Sequence, residues 1–281
     1  MLSVDTEALR AWIGRTKEDS DIITPRLAQS YRATLSSCLS ETEPVLPGLH
    51  WCLAPPVDSI LQLEKDGHPK TGGFLPPVPL PRRMWAGGEI EHLCQLQVGH
   101  LVTRISTISD IQVKVGRAGI LCFVSVEHAY RSDGQVAIRE RQDIVYREAH
   151  QPTPAVVNAP LADAHLDHDI SVVVETPPTL LFRYSALTFN AHRIHYDLPY
   201  ASEVEGYSGL VVQGPLQASL LLNLATRFKG RVPRLFSYRG QAPLLAGDAI
   251  RVAGKEANDG TFDCWTQGAD NQLKMVARAT W

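Results

Sequence analysis

His195 is the side chain in this sequence best suited to moving a proton. It lies in a twenty-residue stretch, FRYSALTFNAHRIHYDLPYA (182–201), that gathers two histidines, an asparagine, an aspartate, two arginines and three tyrosines. Apolar runs flank it: ISVVV before, GLVVQGPLQASLLLNLA after. An imidazole titrates near neutrality, so His195 can take and return a proton at pH 7. Burial beside an apolar helix would hold it neutral, as a base. Asn190 cannot be a base, but its amide can hold a water. Asp197 is expected either to orient His195 or to cap a short helix at Leu198 to Ala201. Gln213-Gly214-Pro215 opens the apolar run that follows. A free Gly214 N–H at the positive end of a helix there could polarise a carbonyl and stabilise an enolate oxygen. Two other readings of these residues stand beside this one. His192, His195 and Asp197 could ligate a metal, although no thiols or further ligand cluster accompany them. Arg183 and Arg193, like Arg82 and Arg83, could bind an anion or form surface ion pairs.

Composition narrows the classes. With 281 residues, 44% hydrophobic and 20% charged, the chain can bury a full core as one large domain or two smaller ones. A formal net charge of -3 and no basic stripe argue against a nucleic-acid partner. The longest apolar run, near Leu216 to Ala225, is too short to span a bilayer. The N-terminal stretch carries Asp5 and Glu7 and lacks the apolar segment of a signal peptide. Cys38, Cys52, Cys94, Cys122 and Cys264 are odd in number and scattered, so reduced, mostly buried thiols in a cytoplasmic-type compartment are expected.

The elements that must position the site follow from periodicity. A short helix is predicted over Thr6 to Ile13, capped by Thr6, and a second begins at Thr24-Pro25 with Leu27, Tyr31 and Leu35 on its buried stripe. From Ser40 to Pro81 the chain is proline-rich and is expected to form a long ordered loop or strap, with one short helix at Asp58 to Glu64. Strands are then predicted over Gly88 to Val98, Leu101 to Ile108, Ile111 to Val115, Ile120 to Arg131 and Val136 to Tyr146. Residues 149–169 lack periodicity and mark a linker between an N-terminal domain (1–148) and a C-terminal one (170–281). The second half should contain strands at Ile170 to Glu175 and Thr179 to Ser185, a buried helix from Pro215 to Phe228, and strands at Pro233 to Arg239, Asp248 to Glu256, Thr261 to Gln267 and Gln272 to Trp281. A buried helix wrapped by antiparallel strands is the outline of a hot-dog fold. Two such halves make an α+β double hot dog, with two antiparallel sheets each wrapping a central helix.

HRIHYDLPYA followed by VVQGPLQASLLLNLA resembles the signature of the MaoC-like hydratases and dehydratases. In that family a Gly-Asp-x-Asn-Pro-Ile-His run leads to Asp, Tyr-Ala and a His-Gly that opens the central helix. Phe189 stands at its glycine, Asn190 at its catalytic aspartate, His192 at its asparagine, Arg193 at its proline and His195 at its catalytic histidine. Asp197, Tyr200 and Ala201 match, and Gln213-Gly214 replaces His-Gly. RYSALTFNAHRIHYD is more similar to a subgroup, the mitochondrial-type 3-hydroxyacyl-thioester dehydratases and the mesaconyl-C4-CoA or itaconyl-CoA hydratases. GGFLPPVPLPRRMWAGG and QDIVYRE resemble that subgroup's N-terminal hot dog.

The resemblance implies reversible addition of water to an enoyl-CoA thioester. Asn190 and His195 would hold the water, His195 would move the proton, and Gly214 N–H would bind the thioester oxygen. Tyr184, Arg183, His192, Arg193, Asp197 and Gln213 are the expected substrate contacts. A C4-dicarboxylyl substrate, mesaconyl-C4-CoA or itaconyl-CoA giving citramalyl-CoA, would need a buried cation such as Arg183, Arg193 or an arginine of the first half. The first half would be non-catalytic and accommodate the acyl chain. No metal or redox cofactor is implied, since CoA belongs to the substrate. A 3-hydroxyacyl-ACP or -CoA dehydratase of fatty-acid synthesis, a non-catalytic acyl-CoA-binding protein and a thioesterase are the competing functions. A double hot dog can satisfy internally the pairing for which single ones dimerise, and a homodimer is compatible with it. The resemblance places the protein in the cytoplasm, or in the mitochondrial matrix of a eukaryote.

Overall fold

The computed structural model describes residues 4–36, 46–116, 119–149, 166–247 and 249–281. Among the described residues, ten antiparallel strands form one sheet, in the order β1-β3-β4-β5-β2-β7-β10-β9-β8-β6. They are β1 Thr16–Ile22, β2 Arg82–His92, β3 Leu101–Gly116, β4 Gly119–Ser132, β5 Gln135–Arg147, β6 Ile170–Glu175, β7 Leu235–Gly240, β8 Ala249–Glu256, β9 Phe262–Gln267 and β10 Leu273–Thr280. Numbered within each half, both sets of five strands read 1-3-4-5-2 outward-in. Their second strands, β2 and β7, pair along the seam from Gly87↔Arg239 to Glu91↔Leu235. In both halves the helices lie between the first and second strands: α2 (Pro25–Leu35) in one, α3 (Pro178–Thr188) and α4 (Gly214–Lys229) in the other. The chain is a double hot dog, and its two sheets are fused into one.

The helices form for reasons visible in their ends. Thr24 Oγ1 accepts from Leu27 N–H at 3.1 Å and Pro25 takes the first position, while Leu27, Tyr31 and Leu35 turn inward. In the short α1 (Thr6–Arg10) the cap is Asp5 rather than Thr6. Its carboxylate accepts from Ala8 N–H at 3.0 Å, as an acidic group at a helix start should. α4 is buried from Leu216 to Thr226 and stops at Gly230, which adopts the left-handed conformation. Capping contributes about 1 kcal/mol, whereas each fully buried leucine contributes roughly 1.5–3 kcal/mol. Burial of Leu216, Leu220, Leu221 and Leu222 therefore dominates the stability of this helix.

Several predicted elements are corrected. Thr179 to Ser185, predicted as a strand, is the middle of α3. Pro178 starts that helix, Leu181, Tyr184 and Ser185 recur at helical spacing on its buried face, and Phe189 ends it in the left-handed region at φ 49°. β1 was not predicted at all. Its sequence, TKEDSDI, has no apolar alternation because it is a sheet edge, where charges face water and discourage further pairing. β3 runs unbroken through Ser109-Asp110, read as a turn, because a β-bulge between Ile108 and Asp110 absorbs the extra residue. β2 begins six residues before Gly88, at Arg82. Asp58 to Glu64 yields only a 3-10 turn, Ile60–Gln62. The proline-rich strap does run over the sheet: Val78 and Leu80 join Leu9 of α1 in a second core against Ile108, Ile111, Cys122 and Val124. Most of the predicted 149–169 linker lies outside the described residues.

Candidate active site

α3 delivers the chain into the polar turn. Its last residues leave Asn190 N–H on the Ser185 carbonyl (2.9 Å), and Asn190 Oδ1 accepts from His192 N–H at 3.0 Å. This side-chain turn orients the amide, with one lone pair of the oxygen engaged and the NH2 as the donor. A single 3-10 turn, Arg193–His195, then places His195 in the interior, 7% exposed. Its Nδ1 lies 2.7 Å from the Val211 carbonyl. A carbonyl only accepts, so Nδ1 carries the hydrogen and Nε2 is left with a lone pair. Burial, opposed by that hydrogen bond, lowers the imidazole to about 4. At pH 7 it is a neutral base.

Of the two roles expected for Asp197, the structure shows the cap. Oδ1 accepts from Tyr200 N–H (3.1 Å), and Oδ2 is held by Arg193 Nε and Nη2 (2.9 and 2.7 Å). Arg193 also covers the Tyr200 ring at 4.0 Å. These partners occupy Asp197, so the alternative His192–His195–Asp197 metal set is not assembled.

Four residues, Val211 to Gly214, connect His195 to the start of α4. Val211 N–H donates to the Ile194 carbonyl (2.9 Å) while its own carbonyl sets the His195 tautomer. Gln213 Nε2 donates to the Leu181 carbonyl and to Ser185 Oγ, both at 2.9 Å, and so fastens α3 to the start of α4. Gly214 is the first residue of α4, where backbone N–H groups have no partner within the helix. A Cβ at this position would stand 2.7 Å from Trp85 Cε3. Trp85 is fixed in turn, stacked on Tyr238 with ring centroids 4.5 Å apart.

These groups open on a cavity of about 1380 Å³ at the junction of the halves. Its wall includes Tyr184, Asn190, His192, His195 and Gly214 from the second half and Arg83 and Trp85 from the first. Arg183, Arg193, Asp197 and Gln213 are not part of that wall. Arg183 points outward from α3, with Nη1 3.5 Å from the Ala33 carbonyl. The other three brace the turn and the helix start.

The wall also contains His68, which sequence reasoning missed. Residues Leu63 to Pro69 form a tight reversal, closed by a bridge between those two residues and by Glu64 N–H to the His68 carbonyl at 2.7 Å. Asp66 accepts from both the backbone N–H of His68 (2.9 Å) and its Nδ1 (2.8 Å). The His68 ring lies 4.1 Å from that of His192, which is 5.4 Å from that of His195. Donor atoms of Asp66, His68 and His192 all lie within 4.8 Å of one another. Burial pushes the Asp66 carboxyl up, but the hydrogen bonds and charge of His68 outweigh it and hold the group well below the carboxylate range. His68 is lowered by burial first and by Arg83 next, against the pull of Asp66. His192 falls to about 2 through burial, with His68 and His195 adding to it. The signal was an Asp-Gly turn dipeptide followed by histidine. Nothing local linked it to a site more than a hundred residues away.

Comparison with known proteins agrees with this arrangement. At 43% identity, the chain aligns with the mesaconyl-C(4)-CoA hydratase of Chloroflexus aurantiacus over 95% of both chains. The mitochondrial hydroxyacyl-thioester dehydratase type 2 of Schizosaccharomyces pombe is 24% identical over 92% of this chain and 96% of that one. The crystal structure of HtdX from Mycobacterium tuberculosis superposes with a TM-score of 0.69 at 19% identity, covering 95% of this chain and 99% of that one. The profile of the family described as hydroxyacyl-thioester dehydratase type 2 matches residues 48–246, from before the His68 loop to beyond the start of α4. A match that takes in both walls of the cavity shows that this chain belongs to the hydroxyacyl-thioester dehydratase type 2 family.

Proposed function

We propose that the protein reversibly hydrates the C=C bond of a C4-dicarboxylyl enoyl-CoA, mesaconyl-C4-CoA, to citramalyl-CoA. The observation that carries this reading is that the bare Nε2 of His195 and the first N–H of α4 share one cavity, both governed by Val211 to Gly214. His195 Nε2 takes a proton from water as the oxygen bonds to the β-carbon. Asn190 steadies that water with its NH2. Gly214 N–H receives the negative charge that develops on the thioester oxygen. The substrate class is supported by the 43% identity to the Chloroflexus hydratase. Arg83 supplies the counter-charge for the free carboxylate: it borders the cavity, and its charge acts on both His68 and His192. CoA enters as part of the substrate, and the reading assigns no metal or redox cofactor. It also keeps the protein in the cytoplasm. Among the described residues no helix is long and apolar enough to cross a membrane.

The cavity volume and the fungal dehydratase relative favour a second reading, dehydration of longer 3-hydroxyacyl thioesters. One assay separates the two. Loss of enoyl-thioester absorbance is followed with mesaconyl-C4-CoA and with a medium-chain enoyl-CoA. Preference for the first is expected, with His195→Ala lowering kcat by about 10³-fold, within the usual range for an acid–base group. Arg83→Gln should raise KM for mesaconyl-C4-CoA alone. Turnover that survives His195→Ala would remove the central assignment. Preference for the medium-chain substrate would move the protein to the second reading.

A further inference from the structure

Asn190 stands where the family pattern has an acid–base aspartate, and an amide cannot transfer a proton. Its oxygen already accepts one hydrogen bond, from His192 N–H. Hydration nevertheless needs a proton removed from water at one carbon and delivered at the other, the α-carbon. The first half of the chain brings an imidazole, His68, to the same wall, with the Asp66 carboxylate accepting from it behind. Resting on the hydratase reading, we infer that His68, held by Asp66, is a second catalytic acid–base group that serves the α-carbon while His195 serves the water.

The geometry is particular to this role. The loop carrying the pair is fastened to the catalytic turn, not merely near it. Arg193 N–H donates to the Asp66 carbonyl at 2.8 Å, and Arg193 Nη1 donates to the Lys65 carbonyl at 3.1 Å. Gly67 passes so close that a Cβ on it would stand 1.9 Å from the Ala191 carbonyl oxygen, and its φ of +91° suits glycine. The two residues that would hold the water and those of the pair therefore move as one body. Asp66 engages Nδ1 of His68, which leaves Nε2 as the nitrogen free to exchange a proton.

The proton count closes. His195 Nε2 takes one proton of the water as the oxygen bonds to the β-carbon. The π pair shifts to the α-carbon and thioester oxygen. The proton taken by His195 passes through His192, whose ring neighbours both, to Nε2 of His68, and the Asp66 carboxylate neutralises the imidazolium that forms. His68 then releases that proton to the α-carbon, and both imidazoles end neutral, as they began. Burial of His68 beside Arg83 makes its imidazolium a stronger acid than a free one, which suits delivery to carbon. In the dehydration direction the same groups exchange roles.

The test compares wild type with His68→Asn and Asp66→Asn in both directions. Asparagine at 68 can still donate to Asp66 but lacks Nε2. The dehydration assay uses a 3-hydroxyacyl thioester deuterated at the α-carbon. His68→Asn is expected to lower kcat by about 10²-fold or more with KM within about 3-fold, and to enlarge the primary isotope effect. Asp66→Asn should lower kcat by about 10-fold. If His68→Asn does not fold, as judged by circular dichroism, the Asp66→Asn values decide. Activity within about 3-fold of wild type, a loss confined to KM, or an unchanged isotope effect overturns the inference. So does activity abolished by a chelator and restored by a divalent metal. A wild-type protein inert on every enoyl thioester overturns the hydratase reading itself and this inference with it.

Discussion

The Val211 carbonyl decides which nitrogen of His195 is bare, and three residues later Gly214 opens the helix that would receive the oxyanion. This economy leaves little tolerance at position 214. An added methyl would press on Trp85, which cannot retreat because it is stacked on Tyr238. Gly214→Ala is therefore expected to shift the start of α4 and lower kcat at least about 10-fold, since an oxyanion donor is worth roughly 10²–10³ in rate. Trimming Trp85 to Leu in the same protein should recover part of that loss. A double variant no better than the product of the singles would show that the clash is not the cause. His195, Asn190 and Gly214, which the structure brings to one cavity wall, could be singled out because their types are chemically distinctive in a polar turn and at the opening of an apolar run. Arg183 was misplaced because its orientation depends on the local period. On α3, residues 181, 184 and 185 face inward, which turns Arg183 outward. Asp66 and His68 were illegible because only the tertiary docking of their loop gives them a site.

At the scale of elements, one buried carboxylate braces the seam that the β2–β7 pairing forms. Glu140 on β5 accepts hydrogen bonds from Trp51 Nε1 (2.7 Å), Gln142 Nε2 (2.9 Å), Tyr238 OH (3.1 Å) and Tyr130 OH (3.3 Å). Burial raises its pKa, and these donors counteract that rise. Tyr238 belongs to β7, so the network spans the two halves and sits behind Trp85. Removing the carboxylate leaves several buried donors unmatched, at roughly 1–3 kcal/mol each. Glu140→Ala is expected to lose at least about 3 kcal/mol in urea unfolding. A loss below about 1 kcal/mol would mean that water replaces the carboxylate and the network does not brace the seam. Periodicity found α2 by its single buried stripe, whereas α4 was legible as an apolar run because it is buried on every side from Leu216 to Thr226. Periodicity missed β1, which has no apolar alternation, and misread α3, where a short apolar run fits either period.

The whole molecule repeats one topological unit twice, joins the copies through their second strands and places its cavity at the join. This construction buries histidines on both sides of the seam. Burial is the leading cause of lowering for His50, held well below its usual value, and for His92 and His195, both brought to about 4. His128 is lowered to about 3 and His192 to about 2, again chiefly by burial. In the unfolded chain such groups titrate near 6.5. Between that value and their folded values the unfolded state binds more protons, so stability must fall as pH falls. Above about pH 7 both states are neutral and the dependence disappears. For a group with a folded value of about 4, acidification from pH 7 to pH 5 costs about 2 kcal/mol. Several such groups together rival the 5–15 kcal/mol stability of an ordinary domain. The melting temperature should therefore be level above about pH 7 and drop steeply below about pH 6. His92 offers the control, because it lies outside the active-site wall and its Nδ1 is 2.8 Å from the Pro233 carbonyl. His92→Asn can keep that hydrogen bond while removing the titration, and should lose about 2 kcal/mol less than wild type between pH 7 and pH 5. Equal slopes in the two proteins would show that His92 does not contribute. A melting temperature unchanged down to pH 4.5 would show that none of the buried histidines does.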